Sequence, residues 1–335
     1  MVRRLLAALL CLLPLLTGCG GGGTSDFAPF APAEEDRLVV YTSHKEAVYG
    51  PIVKEFEDRT GIWVQVETGG TAALLDRLEE ERDAPRCDLL FGGGVDSLTA
   101  RRELFDPYVS PSAKELPPAC QCGDGSWTAF SILPVVLIYN PVLVRMNPPD
   151  GWASLLDPVW RGRIAFASPL NSGSSYTALS TFLQALPGER DELLGALYAN
   201  LDGRTLPDSG EVVGAVADGR YTIGVTLEET ALKAVQAGSD VALLYPAEGT
   251  SATPDGMAVV LGCAHRDNAR RFIDFCLSED VQRRLTQSRR RPVRGDLPDS
   301  APELDALVLL DYAPDQAVRE RENVLERWRE LEEAS

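Results

Sequence analysis

Three stretches combine small residues, hydroxyls and open backbone in a way that could do chemistry. They are Thr68, Gly69, Gly70 and Thr71; Gly92, Gly93 and Gly94; and Asn171, Ser172, Gly173, Ser174 and Ser175. Each follows a run rich in β-branched or aromatic residues and precedes apolar residues at helical spacing, so each reads as a strand passing through a loop into a helix. A helix N-terminus carries unsatisfied N–H groups and a partial positive charge, and can hold an anion without lysine or arginine. One such loop is ordinary turn chemistry in any α/β protein; the recurrence is what points to an anion site. Ser43 and His44, in the turn after a first strand, and Thr226, Glu228 and Glu229, at the carboxyl end of a later one, complete the candidate set. Ligands of open α/β sheets sit beyond the carboxyl ends of the strands.

Other chemistries are poorly served. No glycine-rich dinucleotide fingerprint and no Gly-Lys-Ser/Thr phosphate loop is present, so no cofactor is indicated. Glu228 and Glu229 are neighbours that point about 100° apart on a helix, which makes them a poor acid/base pair. Ser172, Gly173 and Ser174 could be imagined as a nucleophile loop of a secreted hydrolase, but neither histidine has a carboxylate partner in sequence, and no catalytic residue is assigned. Cys120-Gln121-Cys122 lacks zinc spacing, and two histidines in the whole chain leave no metal site in view. Cys87, Cys120, Cys122, Cys263 and Cys276 are an odd set, so at most two disulfides can form among them. A net charge of −18 opposes binding to nucleic acid or anionic lipid surfaces. The basic run 289–294 stands out in this acidic chain, as a docking surface or a salt-bridged face.

The elements that must position these groups follow from periodicity. Residues 37–42 read as a strand and 45–59 as a helix with Val48, Ile52 and Phe56 on one face, ended by Gly61. Strand 62–67 leads to helix 72–82, and strand 87–91 to another helix. The apolar stretch 127–140 is too long for one short strand and contains Pro134, which fits a strand crossing between lobes. Strand 163–167 opens into the serine-rich loop and a helix carrying Leu179, Leu183 and Leu186. Residues 221–226, 227–237 and 241–245 read as strand, helix, strand, a unit that normally implies a parallel sheet. Residues 249–256 look like a second crossing; a strand at 257–261 and helices at 268–277 and 278–286 follow. About three hundred residues suffice for two domains with their own cores.

At the N-terminus, Met-Val-Arg-Arg and an apolar run from Leu5 to Leu16 form a secretion signal too short to settle as a membrane span. Leu16-Thr17-Gly18-Cys19 resembles a bacterial lipobox, which makes Cys19 the lipidated first residue of the mature protein. The glycine-rich and mixed segment up to Glu35 has the composition of a tether.

With these pieces in order, the chain resembles an extracellular solute-binding protein of a bacterial ABC importer, in the branch of ferric-ion, aminoethylphosphonate and hexose-phosphate binders. The resemblance covers the chain from Arg37 onward. It rests on Leu38-Val39-Val40-Tyr41-Thr42-Ser43-His44-Lys45-Glu46-Ala47, Phe56-Glu57 with Thr60-Gly61, Phe91-Gly92-Gly93-Gly94, Trp160 with Gly162-Arg163-Ile164, Tyr245-Pro246 with Glu248-Gly249, and Arg270 with Phe272-Ile273-Asp274-Phe275. It implies an α/β, two-lobed type II periplasmic-binding-protein fold with the ligand in a cleft between lobes joined by crossing strands. The expected plan is a signal peptide at 1–18, a tether at 19–36, a first lobe at 37–133, a second at 134–250, a return to the first at 251–298, and C-terminal helices on the outside at 299–335. The implied partners are a small anionic ligand and the importer's permease, with the protein exported, lipid-anchored and monomeric. Where the ferric binders of the branch carry an adjacent tyrosine pair, this chain has Leu227-Glu228-Glu229-Thr230, and Gly92, Gly93 and Gly94 replace their carboxylate ligand. His44 matches the iron family's histidine, but one histidine does not hold ferric ion, which prefers several hard anionic oxygens. The expected ligand is therefore a phosphorylated or phosphonate organic anion, with ferric iron as the alternative.

Overall fold

The computed structural model describes residues 32–297 and 302–334. The signal peptide, Cys19 and most of the tether lie outside the described residues. The first regular strand, β1 (Arg37–Thr42), runs into α1 (Glu46–Thr60), and β2 (Trp63–Thr68) into α2 (Thr71–Glu80). Next come β3 (Leu89–Gly94), α3 (Val95–Ala100) and the short β4 (Phe105–Asp106). Helix α1 buries Val48, Ile52 and Phe56 and stops at Gly61, whose positive φ lets its N–H close back on Glu57 O. Strands β2, β1 and β3 are parallel neighbours, β1 in the middle.

The long strand β5 (Thr128–Tyr139) carries the chain across. The second lobe holds β6 (Ile164–Ala165), α4 (Gly173–Ala185), α5 (Arg190–Leu201), α6 (Val212–Ala217), β7 (Ile223–Leu227), α7 (Glu228–Gln236) and β8 (Ala242–Leu244). Strand β9 (Ala252–Val260) returns, followed by α8 (Arg266–Cys276), α9 (Glu279–Gln287), β10 (Arg291–Pro292) and α10 (Pro314–Glu333). One half of β5 pairs with β9, from Thr128 opposite Met257 to Pro134 opposite Ala252; the other half pairs with β7 and β8. Pro134 sits where the partners change, a place where a missing N–H is tolerated, and the next N–H, of Val135, is taken by Ser251 O at 3.2 Å.

Two expectations need correction. Strands β7 and β8 do not pair: both run antiparallel to β5, which lies between them, so the strand-helix-strand unit is parallel only across an inserted strand. Residues 92–94 are not a free loop but the end of β3, with Gly94 opposite Asp255 beyond a register shift and α3 starting at the next residue.

Each lobe has its own apolar centre. In the first, Phe56, Phe91, Phe130 and Phe272 meet among buried aliphatic side chains, with edge-on contacts from Phe91 to Phe130 and from Phe56 to Phe272. In the second, Trp152, Phe166, Phe182 and Leu197 are joined by Ala317, Val324 and Trp328 of α10. The polar C-terminal helix, expected on the outside, thus contributes a fully buried tryptophan to the second lobe's core. All five described cysteines are free thiols.

Candidate ligand site between the lobes

Three N-termini converge as the strand ends dictate. Gly70 caps α2, Gly94 caps α3, and Ser172 caps α4, its Oγ accepting the Ser175 N–H at 3.3 Å. The first two come from one lobe and the third from the other. A Cβ placed on Gly173 would lie 3.4 Å from Thr71 Cβ, and one placed on Gly70 would lie 3.6 Å from Asn171 O. The starts of α2 and α4 are therefore in van der Waals contact across the cleft, and the lobes stand closed. Gly93 touches the same spot, since its Cβ position lies 2.7 Å from Thr71 Cγ2. Gly92 and Gly93 have φ of +113° and +97°, which only glycine adopts without strain.

Ser43 and His44 join this group, because a Cβ on Gly92 would lie 2.6 Å from Ser43 Oγ and 3.1 Å from His44 Nε2. His44 is buried against Phe91 and Phe130. Its Nε2 is 3.3 Å from Asp255 Oδ2 but makes no hydrogen bond. Burial, with help from Arg290, holds the imidazole well below its usual pKa, so it is neutral. The neighbouring Asp255 does not reverse this, because its oxygens are engaged by Arg290 Nη1 at 2.8 Å and the Ser131 N–H at 3.0 Å.

Not every candidate donor is open. The Gly69 N–H bonds Thr42 O and the Asn171 N–H bonds Ser168 O. Ser175 Oγ donates to Ala167 O at 2.6 Å. Ser174 Oγ donates to Ser209 Oγ at 3.1 Å and lies as close to Ser172 Oγ. Thr68 is exposed at the rim. Thr226 is buried on β7, and no described contact joins it to the cluster.

Glu228 and Glu229 are placed differently from the rest. Glu228 receives Arg291 through Nε at 2.6 Å and Nη2 at 2.8 Å, and also the Tyr245 hydroxyl. Glu229 receives Arg290 Nε at 2.7 Å and Lys233. Burial disfavours ionisation of Glu229, but Arg290 and Lys233 outweigh it and hold its carboxyl below the usual range. Most of the basic run is thus no docking surface: Arg290 and Arg291 are 6% and 1% exposed and tie the start of α7 to the crossing strands. Among the described residues, Glu229 is linked to His44 through Arg290 and Asp255.

Sequence reasoning missed several contributors. Asp96, two residues after the glycines and fully buried, accepts a hydrogen bond from Thr177 of α4 at 3.0 Å. Lys45 reaches over to the second lobe, its Nζ 3.3 Å from a Cβ position on Gly210, beside Ser209. Asp255 was hidden in a Thr-Pro-Asp-Gly stretch that reads as a turn, and Arg290 in a run that reads as surface.

Residues 84–315 match the family described as bacterial extracellular solute-binding protein, and the chain belongs to it. The periplasmic binding protein AfuA from Actinobacillus pleuropneumoniae, solved with exogenous fructose-6-phosphate bound, is 24% identical and superposes with a TM-score of 0.83 over 89% of this chain and 99% of that one. Iron uptake protein A1 of Synechocystis sp. is 27% identical over 82% of this chain and 80% of its own length. A putative 2-aminoethylphosphonate-binding periplasmic protein of Salmonella typhimurium is 25% identical over 73% of this chain and 74% of its own. The fold is that of the two-lobed type II periplasmic binding proteins. The protein is a non-enzymatic, exported component of an ABC importer that takes a small-molecule ligand and serves a permease.

Proposed function

We propose that this binding protein captures a small phosphorylated or phosphonylated organic anion, works as a monomer, and is held to the membrane by lipid on Cys19. The observation that carries the ligand reading is the contact between the starts of α2 and α4. Each helix start bears about half a positive charge, and two such ends pressed together repel. An anion held beside both starts turns that repulsion into attraction, and it gains both sets of donors only in the closed form. The free N–H groups at the start of α2, the Gly173 and Ser174 N–H groups and Lys45 supply the donors for the phosphoryl oxygens. The organic part faces the neutral His44 and the Asp255 and Arg290 pair, because arginines already occupy Glu228 and Glu229.

The likeness to an iron uptake protein favours ferric ion as the second reading. Against it stand residues 227–230, where the iron binders carry tyrosines. Among the described residues no three His, Cys, Asp or Glu side chains come together as a ligand set. Calorimetry with ferric citrate, inorganic phosphate, 2-aminoethylphosphonate and glucose 6-phosphate decides between them. Binding of an organic phosphoryl compound and not of iron is expected. Tight ferric binding with a tyrosinate charge-transfer band, and no response to the phosphorylated compounds, sinks the proposal.

A further inference from the structure

A cavity of about 640 Å³ lies where β9 leaves the hinge, between α3, the loop before β5 and the segment leading into α10. Its volume is that of a small-molecule site, and none of the residues assigned above to the anion lines it. Thr253, in its wall, is 6% exposed, and its Oγ1 has no hydrogen-bond partner. A buried hydroxyl in a native fold is normally paired, so this one calls for a polar group inside the cavity. The charge around it is one-sided. Asp124 is matched by Arg102 at 3.0 Å, but Asp311 and Asp315, both exposed, form no ion pair among the described residues. Apolar and aromatic walls are supplied by Leu309, Leu310, Pro254 and the Trp127 indole, beside the uncharged polar side chains of Thr99, Gln121 and Ser126. The Trp127 N–H is already spent on Thr99 at 2.9 Å, which leaves its ring face as the available surface.

We propose that this cavity is a second binding site, for a small organic cation with an apolar body. The ammonium group sits near Asp311 and Asp315, its body lies against Trp127 and the leucines, and the Thr253 hydroxyl bonds a polar atom at the buried end. Aromatic faces and unpaired carboxylates select a cation of this kind over a neutral analogue. The test of this site uses no phosphoryl compound.

The purified full chain is titrated with benzylamine and, as the uncharged counterpart, benzyl alcohol, by calorimetry and ligand-observed NMR. Saturable 1:1 binding of benzylamine and at least tenfold weaker binding of benzyl alcohol are expected. Asp311→Asn with Asp315→Asn should weaken benzylamine about tenfold, each carboxylate contributing at the level of an exposed ion pair. Thr253→Val, which removes the hydroxyl at nearly constant shape, should weaken it severalfold. Since Asp311 and Asp315 are exposed and without ion pairs, the double variant stays folded, with only a small drop in melting temperature from the loss of Asp315's charge in the first turn of α10. Absence of binding up to roughly 10 mM, an affinity too weak to matter, overturns the proposal. So does binding that the double variant leaves unchanged, or binding abolished by Gly93→Ala, which would place the amine in the cleft.

Discussion

Thr177 on α4 donates a hydrogen bond to Asp96 on α3 at 3.0 Å, both side chains are buried, and the two belong to different lobes. The bond exists only with the lobes together, because opening the cleft returns the Asp96 carboxylate to water. Thr177 Oγ1 also lies 3.2 Å from Gly173 O in its own helix, so the hydroxyl has an alternative acceptor when the lobes part.

Thr177→Val therefore removes a bond specific to the closed form while leaving α4 intact. A buried carboxylate that loses such a donor costs about 1–3 kcal/mol, or roughly five- to 150-fold in ligand affinity. Small-angle scattering with saturating 2-aminoethylphosphonate checks the mechanism: the parent should contract, and the variant should need more ligand to do so.

Gly93→Ala combines an unfavourable φ with a Cβ set 2.7 Å from Thr71 Cγ2. We expect a loss of about 1–3 kcal/mol in stability and a weaker cleft. Gly195→Ala, inside α5 with nothing within 4 Å of the new methyl, serves as the control. It should gain about 0.4–1 kcal/mol, and both shifts are read from urea midpoints.

The Arg291 and Glu228 pair is 1% exposed at both ends. Arg291→Met alone strands a buried carboxylate and should cost about 3–5 kcal/mol. Adding Glu228→Leu should restore part of that loss, since breaking a buried pair is worse than replacing it. A double variant no more stable than Arg291→Met would refute this account.

His44 is neutral in the fold, whereas an unfolded histidine takes up a proton near pH 6.5. Below that pH the unfolded state binds the extra proton, so stability is lost as pH falls, by at most about 1.4 kcal/mol per unit. Asp255 runs the other way: burial raises its pKa, so in the acid range the folded state holds the extra proton and gains stability as pH falls. In His44→Gln the slope of unfolding free energy between pH 7 and 5 should flatten by the histidine's share.

Cys19→Ser should move the protein from the membrane fraction to the soluble one, because paired acyl chains are what give stable anchoring. Retention of the variant in membranes would refute lipidation at this residue.

Much of the first lobe was legible in the sequence because its signals are local. The apolar spacing of Val48, Ile52 and Phe56, the stop at Gly61 and the long apolar run around Pro134 each specify an element without help from distant residues. The serine loop before α4 likewise announced a helix start. Arg290 and Arg291 were not legible in the same way. Their partners Glu229 and Glu228 lie some sixty residues earlier, and a charged run reads as solvent-facing until a tertiary partner is known. Residues 92–94 were misplaced because glycine's turn preference was weighed above the pairing that β9 offers. Thr177 carried no signal, since a threonine inside an apolar helix looks the same whether or not a carboxylate waits across a cleft. Ala317, Val324 and Trp328 did carry one, at intervals of seven and four on a single helical face, but the charge around them masked it.

Trp328, on α10, is fully buried against Phe166 and Tyr198 at ring distances of 5.9 and 5.4 Å. The second lobe therefore cannot complete its core until α10 has joined the segments that precede it. Contacts between residues so far apart in sequence form late and slowly. Until α10 docks, the second lobe lacks part of its apolar centre, and the faces of Phe166 and Tyr198 that Trp328 covers stay open.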